Sequence, residues 1–268
     1  MDRDEARPIS RRQSEILALA RDHGRVSTED LAARFVVTPQ TIRRDLNELC
    51  ETRTLTRVHG GAIFASGVEN LAYEARKLVA DAAKRQIGQA AAQQIPDNSS
   101  LFINIGTTTE EVARALRSHS GLLVITNNLH VAQELHHWPG VNVIVAGGTI
   151  RRSDGAIVGS FPAALIREFR ADHAVIGTSA IDPDGSLLDF DLREVEVSRA
   201  IIENARRVIL VTDSSKFARS APVRIGHLAD IDVLVTDRLP SPEVAELCAR
   251  NRVTVIETGA PAGEDDDD

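Results

Sequence analysis

Two stretches of this chain carry side chains whose types and spacing suit chemistry. The first is Thr38-Pro39-Gln40-Thr41-Ile42-Arg43-Arg44-Asp45-Leu46-Asn47. Thr38 offers a capping hydroxyl and Pro39 a residue preset for the first helical position, so the pair predicts a helix start. Ile42, Leu46 and Leu49, spaced by four and then three residues, share one side of that helix. Gln40, Thr41, Arg43, Arg44 and Asn47 are left on the other. These side chains read base edges or grip phosphate: Gln suits adenine, and Arg forks onto guanine. The open helix N-terminus behind Thr38 also suits a phosphate. Arg53, Arg57 and His59 follow at positions that can reach DNA backbone or minor groove. The plainer reading is a solvated helix face on which Arg43 and Arg44 pair with Asp45 or Glu48.

The second stretch is Gly106-Thr107-Thr108-Thr109, which directly follows an apolar run and opens a helical pattern. Backbone N–H groups at a helix start, the helix dipole and adjacent hydroxyls together make a phosphate cradle. Small polar and charged residues stand just past other apolar runs: Thr126-Asn127-Asn128, Gly147-Gly148 with Arg151-Arg152, Gly177-Thr178-Ser179, and Asp213 with Lys216. Open α/β sheets bind ligands at the carboxyl ends of their strands. Such a set suits a phosphorylated polyol better than a nucleobase. Each member has a plainer reading too: a Thr-rich cap, a tight turn at Gly147, a surface ion pair at Arg151, an exposed strand-end Lys216. His136 and His137 are adjacent on a helix and point to different faces, so they read as a helix end. Cys50 and Cys248 match no metal-ligand spacing and read as reduced thiols. No metal, cofactor or catalytic residue is expected.

The elements that must position these groups fall into four blocks. Residues 1–64 show helix-period pieces: an apolar stripe of Ile9, Ile16, Leu17, Leu19 and Ala20, a second helix capped by Ser27 with Asp30 three residues on, and the helix from Pro39. Leu55–Val58 and Ala62–Phe64 flank Gly60-Gly61 as a hairpin, completing a winged helix-turn-helix pattern. Residues 65–83 read as a linker entering a helix. Residues 84–258 alternate strands and helices, with strands expected at Leu101–Ile105, Leu122–Thr126, Val141–Ala146, Ala174–Gly177, Val208–Thr212, Asp232–Thr236 and Arg252–Ile256. Their continuous apolar runs suit strands buried on both faces of a parallel sheet, a doubly wound α/β domain. Residues 259–268 form an acidic tail that reads as disordered.

Charge must be read block by block. The whole chain carries −8, yet residues 1–64 hold eleven Arg, no Lys and ten Asp or Glu, a net of +1; the remaining 20 cations and 29 acids make −9. The first block is therefore no basic arm, and sequence-independent DNA binding, which is essentially phosphate neutralisation, is disfavoured. Placed arginines and two copies of the chain must supply affinity instead. No apolar run approaches the ~20 residues that span a bilayer, and the charged N-terminus lacks a signal-peptide core. A cytoplasmic protein is expected.

The stretch from Val26 to Leu49, VSTEDLAARFVVTPQTIRRDLNEL, resembles the DNA-binding signature of DeoR-family repressors, with the recognition-helix form complete from Pro39 to Leu46. Val36-Val37-Thr38 stands where that family often has a Val-Ser turn. The likeness continues through the GTT loop, Thr126-Asn127-Asn128, Gly147-Gly148, Gly177–Asp182, Asp184–Leu188, Glu194 and Asp213–Phe217, covering residues 9–258. It implies a sensor domain related in fold to ribose-5-phosphate isomerase and CoA transferases. By resemblance, Gly106, Thr107, Thr108, Asn127, Gly147, Arg151, Asp154, Ser179, Asp182, Glu194 and Lys216 form the effector pocket. SLLDFDLREV and RAIIENARRV are similar to family members that answer to glycerol 3-phosphate, which implies that inducer, or another sugar phosphate, for this chain. Asn104 and Ser215 depart from the family, which often has an acid and a His there. Double-stranded operator DNA and a homodimer or homotetramer are the other implied partners. The competing reading is a sugar-phosphate isomerase with Asp182 or Glu194 as base beside Lys216, though the catalytic motifs of such enzymes are incomplete here.

Overall fold

The computed structural model describes residues 10–23, 25–51, 55–58, 60–64, 73–78 and 80–259. The chain divides between Val79 and Ala80 into two compact units.

In the first unit, α1 (Arg11–His23), α2 (Thr28–Phe35) and α3 (Pro39–Glu51) pack through Ile16, Leu17, Ala20, Leu31, Ala32, Ile42, Leu46 and Leu49. These are the residues that the helical period brings to one side. Burying each Leu or Ile stabilises the bundle by about 1.5–3 kcal/mol. Ser27 caps α2 by accepting the Asp30 N–H at 3.1 Å. The helix ends at Val36, whose φ of 53° is left-handed and turns the chain sharply into Val37 and Thr38.

The wing is a three-stranded sheet, not a simple hairpin. Between α1 and α2, β1 (Arg25–Ser27) pairs antiparallel with β3 (Gly61–Phe64), which pairs with β2 (Leu55–Val58). Three residues are too few to show a strand period, so β1 was not legible locally. Gly61 is required there, because a Cβ would sit 2.0 Å from the Val26 carbonyl oxygen. A short helix, α4 (Tyr73–Leu78), falls within residues 65–83.

The second unit begins with α5 (Asp81–Ala92). It continues β4 (Ser100–Ile103), α6 (Thr107–Ala115), β5 (Leu122–Thr126), α7 (Leu129–Leu135) and β6 (Val141–Val145). A short antiparallel hairpin follows, β7 (Thr149–Ile150) with β8 (Ile157–Val158). Then come α8 (Ser160–Arg167), β9 (Ala171–Ile176), β10 (Ala180–Ile181), β11 (Ser186–Asp189), α9 (Leu192–Glu203), β12 (Ala205–Val211), β13 (Val223–His227), β14 (Val233–Thr236), α10 (Pro242–Arg250) and β15 (Thr254–Glu257). All seven expected strands join one parallel sheet in the order β15-β14-β12-β9-β4-β5-β6. Alternating side chains feed two cores. Leu101, Ile103, Val124, Val175, Ile209 and Val233 meet α5, α6 and α7, while Phe102, Ala174, Ile176, Leu210 and Leu234 meet α8, α9 and α10. Strands β10, β11 and β13 form a small antiparallel sheet that the sequence pattern did not reveal.

The chain runs from β4 outward to β5 and β6, then returns to place β9 on the other side of β4. Strand order reverses between β4 and β9, and a crevice at that reversal is where doubly wound sheets hold ligands.

Candidate functional site

The first site is the exposed side of α3. Thr38 caps the helix: its Oγ1 accepts the Thr41 N–H at 3.3 Å and lies 2.9 Å from the Thr41 hydroxyl. Gln40, Arg43, Arg44 and Asn47 are exposed and Thr41 half-exposed. Arg43 Nη1 lies 3.5 Å from Gln40 Oε1. Arg44 pairs with Glu48 at 3.3 Å, an exposed i,i+4 contact worth only about 0.3–0.5 kcal/mol and readily exchanged for a stronger partner.

Two acids of α3 have other work. Buried Asp45 takes a two-pronged contact from Arg12 of α1, at 2.6 and 3.2 Å, and Gln13 donates to Glu48 at 2.7 Å. The hydrogen bond to Asp45 holds the Arg12 guanidinium above its ordinary pKa. These contacts anchor α3 from behind and leave Arg43 outside the network.

The second site lies at the carboxyl ends of β4, β5 and β9. Gly106, at φ 156°, lets the chain turn from β4 into α6, and Thr109 Oγ1 closes that turn by donating to the Asn104 and Gly106 carbonyls at 2.9 and 2.8 Å. Gly106 brings no side-chain cap, so the first N–H groups of α6 stay open. Among the described residues, the Thr107 and Thr108 hydroxyls have no hydrogen-bond partner. An open helix N-terminus with two spare hydroxyls matches the needs of an anion.

Asn104 joins both sides of the strand reversal. Its Oδ1 accepts the Gly177 N–H at 3.0 Å, and its Nδ2 reaches Ser198 of α9 at 3.3 Å. Glu194 lies one turn before Ser198 on the same face of α9. From β5, Asn128 caps α7 and donates to Glu110 at 3.3 Å. Asn127 exchanges bonds with Ile157 of β8: its Nδ2 donates to the Ile157 carbonyl at 3.0 Å, and its own carbonyl accepts the Ile157 N–H at 2.8 Å. The β7–β8 hairpin thus straps the crevice, packing Ala156 and Val158 against Ile105.

Arg151 ties that strap down. It contacts Asp154 at 2.8 and 2.6 Å, Asp191 at 3.0 Å and Glu194 at 2.6 Å. Burial opposes its charge, but the Asp154 hydrogen bonds and the fields of Glu194 and Asp154 prevail and hold its pKa above the ordinary guanidinium value. Asp191 is lowered to about 2, chiefly by the Arg193 side chain, against burial and with help from the Arg193 N–H and Arg151. Two cations, Arg151 and Arg193, face three carboxylates here.

Comparison with known proteins identifies both units. The pattern of a DeoR-like helix-turn-helix domain matches residues 12–68, and that of the DeoR C terminal sensor domain matches residues 80–238. The chain belongs to the DeoR family of transcriptional repressors. Among DeoR-family relatives, it is 45% identical over 244 residues to the glycerol-3-phosphate regulon repressor of Escherichia coli, covering 91% of this chain and 97% of that protein. It is 47% identical over 231 residues to the Haemophilus influenzae protein of the same name, covering 86% and 90%. The HTH-type transcriptional repressor CsqR of Escherichia coli is 40% identical over 245 residues, covering 91% and 94%. Solved structures resemble the chain only distantly. Ribose 5 phosphate isomerase A from Neisseria gonorrhoeae is 12% identical at TM-score 0.37, covering 50% of this chain and 52% of that one. The Pyrococcus horikoshii translation initiation factor eIF-2B is 18% identical at TM-score 0.42, covering 76% and 71%.

Within this DeoR framework, Gly106, Thr107, Thr108 and Asn127 stand just past the carboxyl ends of the neighbouring strands β4 and β5, while Arg151 meets Asp154 and Glu194 at the strap. Buried Ser179 follows β9 and donates to Asp189 at 3.1 Å. Lys216 sits half-exposed in the 3-10 turn Ser214–Ala218, which Asp213 caps. Asp182 lies in the turn between β10 and β11, where its N–H donates to Ser186 and its carbonyl accepts from Gly185. Gly147 is exposed, and a Cβ there would meet nothing within 4 Å. Arg57 is in β2 and its side chain falls outside the described residues, as do Arg53, His59 and nearly all of the acidic tail. The sequence reading overlooked Ser198, Glu110 and Asp191, and it marked Asn104 only as a departure from the family. Asp191 alone had a local signal: an acid directly before an apolar helical run is an N-cap.

Proposed function

We propose that this chain represses carbon-utilisation genes by binding operator DNA through α3, and releases that DNA when its α/β domain binds a phosphorylated metabolite, glycerol 3-phosphate foremost. The observation that carries the DNA half is the division of labour on α3: Asp45 and Glu48 are engaged by α1, and Gln40, Arg43 and Asn47 stand exposed. Thr38, Thr41, Arg44, Arg57 and His59 complete the proposed contact surface. The effector half is supported by the open N-terminus of α6 at the strand reversal, with Gly147, Ser179, Asp182 and Lys216 as further pocket members. Residues 1–64 serve as the DNA-binding module, 65–83 as connector, 84–258 as sensor and 259–268 as a solvated tail.

One α3 reads one half-site, so the working species is a homodimer or homotetramer in the cytoplasm. Effector binding needs a coupling of only about 1–3 kcal/mol to weaken the operator 5- to 150-fold. The domain acts as a sensor and not as a catalyst. Among the described residues, no helix is long and apolar enough to cross a membrane. The test is to select binding sites from a random double-stranded DNA pool with the full chain, then challenge the complexes with phosphorylated polyols and sugars. A defined two-half-site motif released by one of them is the expected result. Failure to enrich any motif sinks the DNA reading, and turnover of ribose 5-phosphate sinks the sensor-only reading.

A further inference from the structure

We infer that the effector must carry a hydroxyl on the chain attached to its phosphate, and that Asn127 is the residue that selects for it. The inference rests on the effector reading above and deepens it to a class of ligand. Asn127 is 1% exposed, and its Oδ1 has no hydrogen-bond partner. The other end of the same amide is fully engaged with the Ile157 carbonyl, so the side chain is held in place with its acceptor unused. A buried acceptor without a donor is costly, and native proteins keep few of them.

No donor reaches Oδ1 among the described residues. Ala156 and Val158, on either side of Ile157, present apolar side chains packed on Ile105 and bring none. The carboxylates tied to Arg151 are acceptors themselves. A hydroxyl on the chain of a phosphorylated ligand supplies that donor.

Its position sets the ligand's shape. Thr126, just before Asn127, pairs with Ile103 of β4, and the α6 N-terminus opens a few residues past Ile103. Adjacent strands lie about 4.8 Å apart. A phosphate on Gly106–Thr108 therefore leaves a short polyol chain extending across one strand toward Asn127. A bare phosphate or an alkyl phosphate binds more weakly, because neither gains the bond to Oδ1 that a hydroxyl makes.

The experiment uses the full chain and calorimetric titration with glycerol 3-phosphate, propyl phosphate and inorganic phosphate. Wild type is expected to bind glycerol 3-phosphate at least about ten-fold tighter than propyl phosphate, the gain from pairing a buried acceptor. In Asn127→Ala that ratio falls to within about three-fold, mainly through lost affinity for the polyol. Equal affinities in wild type, or discrimination that survives in Asn127→Ala, overturn the inference. The wild-type comparison decides the matter even if the variant does not fold. Thr107→Val separates this inference from the reading beneath it. If that change weakens all three ligands while wild type fails to discriminate, only the Asn127 assignment falls. If it changes none of them, the pocket itself is misplaced and both fall, as they do if none of the three binds wild type.

Discussion

Arg43 and Arg44 are neighbours with the same chemistry and different circumstances. Arg44 has an exposed partner in Glu48 at 3.3 Å, while Arg43 reaches only Gln40 at 3.5 Å. Arg43→Ala should weaken binding to a selected operator by about 1–3 kcal/mol, the worth of one bidentate base contact. The melting temperature and effector affinity should stay unchanged, and an electrophoretic mobility shift beside a thermal melt checks both. Asp191 makes a different prediction at this scale. Its folded pKa of about 2 lies below the ordinary carboxylate value. It therefore contributes stability that is present above about pH 4 and is lost as pH falls towards 2. Asp191→Asn should remove that part of the acid sensitivity, seen as a shallower loss of melting temperature between pH 4 and 2. Asn127, Asn104 and Asp191 also show why a site is only partly legible in sequence. Asn is a common loop residue, and nothing local says that one will be buried beneath a hairpin thirty residues downstream.

Among the elements, the β7–β8 strap depends most on a single side chain. Two residue pairs make its ladder, too few to hold a hairpin in water alone. Arg151 joins it to α9 through Asp191 and Glu194. Arg151→Met should destabilise the α/β domain by roughly 3 kcal/mol, because Asp154 and Glu194 would stay buried after losing this ion pair. Urea unfolding of the variant beside wild type checks this. The helices and the seven parallel strands were legible because each obeys a short-range rule: an apolar run, a cap, a turn residue. The strap, β1 and the small β10-β11-β13 sheet were not, since elements of two to five residues carry no period and owe their form to what they pack against.

At the scale of the whole molecule, the proposed function is a coupling between two units that each look ordinary alone. Thr107→Val should yield a protein that still binds operator but is not released by effector. It should also lose the ligand-induced rise in stability, which for wild type at one hundred times Kd amounts to about 2.7 kcal/mol. A thermal shift with and without effector, beside an operator-release assay, reads both. The near-neutral first block, at +1, adds that binding to unrelated DNA should be weak and should vanish at modest salt.

The sequence by itself determined the units, the recognition helix from Pro39 to Leu46 and the phosphate-suited start of α6. Each depends on residues within a turn or two of one another, where helix period, capping and strand hydrophobicity act directly. Only the tertiary structure decided that Arg151 meets acids forty residues away, that Asp45 serves α1 instead of DNA, and that Asn127 is buried with an acceptor to spare. The first and last of these depend on which strands the chain sets side by side at the reversal between β4 and β9, and the second on how α1 packs against α3. Contacts between distant segments are set by packing the whole core at once, and no local pattern encodes them.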